Sequence, residues 1–182
     1  MDLWLFQTIH SVAGLSPALD VLIVLLASPF AYVLGAVMVL ALVVPQYFGF
    51  SVARNAARMV VAGAVLSAFI GRFVIKEAVV LVYDIPRPFA IVHDVTPLIS
   101  HDSMASFPSG HAVFFFAAAT VILLYNRWLG TALLVASAGM VLARVAAGIH
   151  WPSDVLAGAS IGVLIGLLMG VALRRYYQKD RR

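Results

Sequence analysis

Ser106-Phe-Pro-Ser-Gly-His111-Ala-Val-Phe-Phe-Phe-Ala-Ala-Ala-Thr-Val-Ile-Leu-Leu-Tyr125 joins a polar, turn-forming start to an uninterrupted apolar run. Pro108 closes the preceding loop, and Ser109 is placed to cap the helix that the apolar residues after His111 form. The run predicts a helix over Ser109–Tyr125, about 25 Å long, somewhat short of a hydrocarbon core of about 30 Å. Its N-terminus is therefore expected below the membrane surface, with His111 in a recess. A helix start presents unpaired N–H groups and the positive end of a dipole, so an anion binds there readily.

A counterpart lies downstream. Arg144, five intervening residues and His150-Trp-Pro-Ser-Asp154 sit where one apolar run ends and the next begins. His150 and Asp154 are four apart, one turn if the segment is helical, so the carboxylate can hold the imidazole as a histidine nucleophile is held. Upstream, Arg87 is flanked by Pro86 and Pro88 and is held stiffly at the membrane edge. Two histidines, one paired with an acid, together with arginines and a helix N-terminus, describe a site for a phosphate group.

Arg87-Pro88, Pro108-Ser109-Gly110-His111 and Arg144-x5-His150-x3-Asp154 resemble the three signatures of the type 2 phosphatidic acid phosphatase superfamily. That family is related to vanadium haloperoxidases and includes bacterial lipid phosphatases, among them undecaprenyl pyrophosphatases of the bacitracin-resistance type. Two departures stand out. The family's first motif usually has a lysine seven residues before the arginine, where this chain has Val80, while Lys76 lies eleven before Arg87. The third motif usually begins Ser-Arg, and here Ala143 precedes Arg144.

The resemblance implies hydrolysis through a phosphohistidine. His150 would attack phosphorus, Asp154 would fix its tautomer and stabilise the charged ring, and His111 would serve as general acid and then as base for water. Arg87, Arg144, Ser109, the Gly110 N–H and Lys76 would stabilise the phosphoryl oxygens, the cations taking the place of a metal, so no metal or other cofactor is expected. The implied reaction is undecaprenyl diphosphate to undecaprenyl phosphate and inorganic phosphate. A phosphatase of another lipid phosphate (phosphatidylglycerophosphate, phosphatidic acid or lipid A) would share every catalytic residue. A non-enzymatic lipid-binding or transport protein, its buried charges forming a pathway, is the reading from another class. His93 and His101 are either polar loop residues or contacts to a second phosphate.

Composition bounds the rest. Of 182 residues, 63% are hydrophobic and only 11% charged, with mean hydropathy +1.03. A soluble domain this apolar would expose far too much hydrocarbon, so the fold class is all-α: a polytopic membrane bundle of five to six transmembrane helices in one domain over residues 1–182. Cysteine is absent, which excludes a disulfide framework and a thiolate metal site. The net charge of +4 raises nucleic acid as a partner, but the placement of the charges argues for the lipid bilayer instead.

Along the chain, Met1–Gly14 lacks a basic start and a small-residue cleavage site, so it is read as a short interfacial helix rather than a signal peptide. Its apolar stripe is Leu3, Leu5, Phe6, Ile9 and Val12, with His10 on the polar side and, like Trp151, assigned to the interface. Leu19–Val44 is interrupted at Ser28-Pro29 and reads either as one broken span, which is preferred, or as a re-entrant helix followed by a span. Pro45–Arg58 is a polar connection. Val60–Val82 spans although it carries Arg72, Lys76 and Glu77, which can neutralise one another. Tyr83–Phe107 is the longest loop, and Trp128–Ala147 and Val155–Leu173 complete the bundle. Gly158, Gly162, Gly166 and Gly170, like Gly63, Ser67 and Gly71, form small-residue ladders suited to close helix packing. Arg54, Arg58, Arg127, Arg174, Arg175, Lys179, Arg181 and Arg182 fall on one side of a five-span arrangement. That side is expected to be cytoplasmic, with the site and His150 on the outer face of a bacterial plasma membrane.

Overall fold

In the computed structural model, which describes residues 2–50, 52–83, 85–100 and 105–179, regular structure is helical apart from one antiparallel bridge between Pro86 and Ala105. Helix α1 (Asp2–His10) precedes α2 (Pro17–Ala27), whose N-cap Ser16 accepts the Leu19 N–H, and α3 (Phe30–Val43). Ser28-Pro29 separates α2 from α3 because proline offers no N–H and its ring crowds the carbonyl one turn back. The Ala31 N–H turns to Ser28 O at 3.2 Å. The two pieces form one apolar stretch, Pro17–Val43, as the preferred reading of a single broken span requires.

Helix α4 (Arg54–Ile70) passes through a π-helical turn (Gly71–Ile75) into α5 (Lys76–Val80). This span begins at Arg54, not near Val60, so part of the expected polar connection is helical. The Arg58 stem lets its head reach Val43 O at 3.2 Å while the backbone stays in the helix, so a polar residue does not mark the helix end. A short helix α6 (Pro88–Ile91) lies in the long loop, followed by α7 (Gly110–Leu123), α8 (Arg127–Ala146) and α9 (Pro152–Lys179). Among the described residues four stretches are long and apolar enough to cross a membrane, and the 14-residue α7 is a shorter apolar helix among them. At about 21 Å, α7 is shorter even than its sequence suggested.

Helix α7 is the centre of the bundle, packed by α4, α8 and α9. Its contact with α9 depends on the glycine ladder. A Cβ at Gly158 would come within 2.7 Å of Ser109 O, one at Gly162 within 2.6 Å of Val113 O, and one at Gly166 within 2.6 Å of Ala117 O. Only glycine lets the two backbones approach so closely, which is how helices associate in lipid without a hydrophobic gradient between them.

The direction of α7, α8 and α9 sorts the charges. His111 and His150 lie at one end of the bundle. The turn carrying Arg127 and the end of α9 lie at the other, where Arg174 stands 6.0 Å over the Tyr125 ring and Asn126 bonds Phe48 O. His101, Arg181 and Arg182 fall outside the described residues.

Helix α1 also packs on protein, with Leu3 and Trp4 left exposed. Phe6 is fully buried against Trp151 at 5.2 Å and stacks on His10 at the same distance, while His10 Nδ1 donates to Ala146 O at 2.7 Å. Asp2 accepts from Ser153 N and Oγ at 3.0 and 2.6 Å, supplying the start of α9 with an anionic cap. Trp151 is itself buried. His10 and Trp151 are therefore packing residues: α1 folds over the α8–α9 turn, and a helical stripe alone cannot say whether its apolar face meets lipid or protein.

Candidate active site

Gly148, at φ +80, turns the chain after α8 so that His150 comes back over the helix end. This left-handed conformation suits glycine. Helix α9 begins only at Pro152, so His150 and Asp154 meet across its N-terminus rather than inside it. Asp154 Oδ2 accepts from Trp151 N at 2.7 Å, closing a cap on the first turn, and pairs with His150 Nδ1 at 3.3 Å. The expected four-residue pairing holds, on a capped turn. With Nδ1 bound to the carboxylate, Nε2 is the nitrogen fitted for attack.

A third donor to Asp154 was not singled out from the sequence. Ser106 Oγ donates to Asp154 Oδ2 and lies 3.4 Å from His150 Nδ1. Ser106 N bonds Ile85 O at 2.8 Å, and the adjoining Pro86–Ala105 bridge brings the Arg87 segment alongside. Trp151 Nε1 donates to Pro86 O at 2.9 Å, pinning that segment to the start of α9. A serine two residues before Pro108 was visible in the sequence, but only the pairing of distant loops shows what it touches.

Arg87 is 3% exposed and donates to Ile149 O. Burial pushes its pKa down to about 10, while the Asp154 carboxylate pulls it back up, so the guanidinium is charged at neutral pH. Arg144 is equally buried, and its Nη1 donates to Ala27 O at 2.7 Å. That carbonyl is available because the Ser28-Pro29 break sends the Ala31 N–H elsewhere. The kink in the first span thus holds an arginine 117 residues away in sequence.

Ser109 occupies the N-cap position of α7, but its hydroxyl makes no capping bond. Ser109 Oγ and Arg144 Nε are buried donors without a protein partner, and Asp154 Oδ1 is a buried acceptor in the same condition. Buried polar groups left unpaired cost about 1–3 kcal/mol each, so such a pair of donors beside a helix N-terminus is suited to an anion's oxygens.

Two cavities meet here. A polar pocket of about 250 Å³ is lined by residues including Ser28, Ser100, His111, Arg144 and Ile149. An apolar groove of about 630 Å³ lies between α3, α4 and α7, lined by residues including Met38, Phe69, Phe73, Phe114 and Phe115. His111, Ala31 and Tyr32 line both. The site is thus open to a polar head on one side of His111 and to hydrocarbon on the other.

Lys76 lines neither cavity; its Nζ lies 3.2 Å from Glu77 Oε1. Arg72, read in the sequence as able to be neutralised with Lys76 and Glu77, lies in the groove wall beside Gly110 and His111. His93 is exposed and also lines neither cavity.

The chain is 32% identical to the undecaprenyl-diphosphatase BcrC of Bacillus subtilis (strain 168) over 168 residues, covering 92% of this chain and 82% of that protein. It is 33% identical to the bacitracin transport permease protein BcrC of Bacillus licheniformis over 144 residues, 78% of this chain and 70% of that one. The crystal structure of Aquifex aeolicus LpxE superposes with a TM-score of 0.71 at 26% identity, covering 92% of this chain and 93% of that chain. The PAP2 superfamily model matches residues 58–180, a stretch that takes in both histidines, Asp154 and both buried arginines, and the chain belongs to the PAP2 superfamily.

Proposed function

We propose that this membrane lipid phosphatase hydrolyses undecaprenyl diphosphate to undecaprenyl phosphate and inorganic phosphate. The observation that carries the reading is the pair of buried, unpartnered donors, Ser109 Oγ and Arg144 Nε; Ser109 stands at the N-cap of α7 with its N–H on Asp154 O at 3.0 Å, and Arg144 lines the polar pocket with His111. They suit a phosphoryl group. The apolar groove leaving His111 suits a long hydrocarbon chain. Among the described residues its lining is apolar apart from Tyr32, Arg72 and His111, which favours a polyprenyl phosphate over a glycerophospholipid. The resemblance over most of its length to a protein named undecaprenyl-diphosphatase supports the same substrate.

In this mechanism His150 Nε2 attacks the terminal phosphorus and the bond to the bridging oxygen breaks. His111 gives its proton to that oxygen. Asp154 balances the charge on the phosphorylated ring through Nδ1. Arg87, Arg144, Ser109 Oγ and the Gly110 N–H bind the equatorial oxygens, where charge is spread in the transition state. Water then attacks the phosphohistidine, losing its proton to His111, and releases phosphate. The site faces the outside of a bacterial plasma membrane and the basic end of the bundle faces the cytoplasm, because loop arginines favour the inner side.

The test is phosphate release in detergent from undecaprenyl diphosphate, undecaprenyl monophosphate, phosphatidic acid and phosphatidylglycerophosphate. The diphosphate is expected to have the highest kcat/KM. Equal or faster turnover of phosphatidylglycerophosphate would replace it as substrate.

A further inference from the structure

Among the described residues that line the apolar groove, Arg72 bears the only permanent charge. It sits inside the Arg54–Val80 span, where an ionisable side chain is costly and marks function by default. It belongs to the π-helical turn Gly71–Ile75, a local insertion of the kind that recurs at functional sites. Its side chain lies on the first turn of α7. A Cβ at position 110 would come within 2.6 Å of Arg72 Cδ and 3.0 Å of Cζ, so the contact exists because residue 110 is glycine.

Arg72 is only partly neutralised where it stands. Its Nη1 donates to Glu77 Oε1 at 2.7 Å, but that same oxygen is 3.2 Å from Lys76 Nζ, leaving one carboxylate between two cations. About a third of the Arg72 side chain is exposed, 32%, so it can be reached from the groove. The cavities give it a place in the reaction. His111 lines both, Arg144 lines the polar pocket and not the groove, and Arg72 lines the groove and not the polar pocket. One cation thus stands on each side of the residue that protonates the leaving group.

We propose that Arg72 binds the phosphate that departs with the lipid, and so selects diphosphates over monophosphates; this rests on the polyprenyl diphosphate reading above. When His150 forms its bond to the terminal phosphorus, the electron pair of the broken P–O bond stays on the bridging oxygen and His111 supplies the proton. The leaving group is then a lipid monophosphate, with its oxygens where the groove meets His111 and within reach of Arg72. A monophosphate ester puts only an alcohol oxygen and hydrocarbon there, and gives the guanidinium nothing to bind. The same contact holds the product until it leaves along the groove.

The experiment compares wild type, Arg72→Gln and Arg72→Lys on undecaprenyl diphosphate, undecaprenyl monophosphate and phosphatidic acid, and measures inhibition by added undecaprenyl monophosphate. Arg72→Gln should lower kcat/KM for the diphosphate at least about tenfold more than for either monophosphate, the scale of one charge-assisted hydrogen bond. It should also weaken product inhibition, and Arg72→Lys should fall between, keeping the charge but losing the planar fork. Equal losses on all substrates would overturn the proposal, reducing Arg72 to a packing partner of Gly110, as would no loss. If Arg72→Gln does not fold, the ratio of diphosphate to monophosphate turnover in Arg72→Lys decides, and an unchanged ratio overturns the proposal. Failure of wild type to cleave the diphosphate would instead sink the substrate reading, and this inference with it.

Discussion

Two clusters in this bundle combine arginine with a carboxylate, and they treat the charge oppositely. In the first, Arg87 and Arg144 are each 3% exposed and donate to backbone carbonyls, Ile149 O and Ala27 O. The carboxylate beside them, Asp154, is spent on Ser106, Trp151 N and His150. In the second, Arg72 and Lys76 share Glu77, whose side chain is half exposed. A carbonyl satisfies part of a guanidinium without cancelling its charge, so the first cluster keeps much of its attraction for an anion even though Asp154 acts on Arg87 through space. A carboxylate cancels a cation's field, so the second keeps only the excess of two cations over one anion. Partnering a cation with backbone is thus a way to build an anion site in a low-dielectric interior, where an unpaired charge is costly.

The largest break in this comparison is at His150, the nucleophile of the proposed mechanism. His150→Ala is expected to reduce phosphate release by at least about 10³-fold, because no other side chain can take over the covalent step. The purified variant should still elute as the folded protein from size exclusion. Activity within tenfold of wild type would show that His150 is not the nucleophile.

Next in size is Ser106→Ala. It removes a donor from a buried carboxylate, a loss of about 1–3 kcal/mol, and loosens the orientation of His150. A fall in kcat on the order of tenfold is expected with KM little changed, since Ser106 touches the positioning carboxylate and not the phosphate. A change confined to KM would place Ser106 on the substrate instead.

Pro29→Ala probes how the first cluster is held. With an N–H restored at position 29, α2 and α3 can join and the Ala31 N–H can reclaim Ala27 O from Arg144. Thermal stability should rise while kcat/KM falls several-fold, about 3–10-fold for one weakened positioning bond. A parallel rise in both would show that the kink has no part in holding Arg144.

The smallest effect is expected in the second cluster. Lys76 lines neither cavity, so Lys76→Gln should change kcat/KM on any lipid phosphate by less than about threefold, the scale of a partly exposed ion pair. A loss as large as that of Arg72→Gln would return Lys76 to the site and make the two clusters one.

Some of this was legible in the residues. Apolar runs long enough to cross a membrane follow from local composition, and the close approach of α9 to α7 follows from a glycine at every fourth position. The His150–Asp154 pair lies within one turn and needed no tertiary information. The break at Ser28-Pro29 was visible as well, because proline acts on its own helix.

What it does at a distance was not. The Ala27 carbonyl that meets Arg144, and the Ser106 hydroxyl that meets Asp154, are joined by packing between segments far apart in the chain. The spacing of Arg72, Lys76 and Glu77 allowed mutual neutralisation, but which cation lines the groove depended on the π-helical turn and on Gly110 leaving room for one side chain. The apolar stripe of α1 read the same whether it was to meet lipid or Trp151. Sequence alone determined which segments are apolar enough to span and which residue types can carry phosphoryl chemistry, because both are properties of single residues and their near neighbours. Only the tertiary structure decided that Arg87 meets the Ile149 carbonyl and Arg144 the Ala27 carbonyl, because those contacts join segments far apart in the chain.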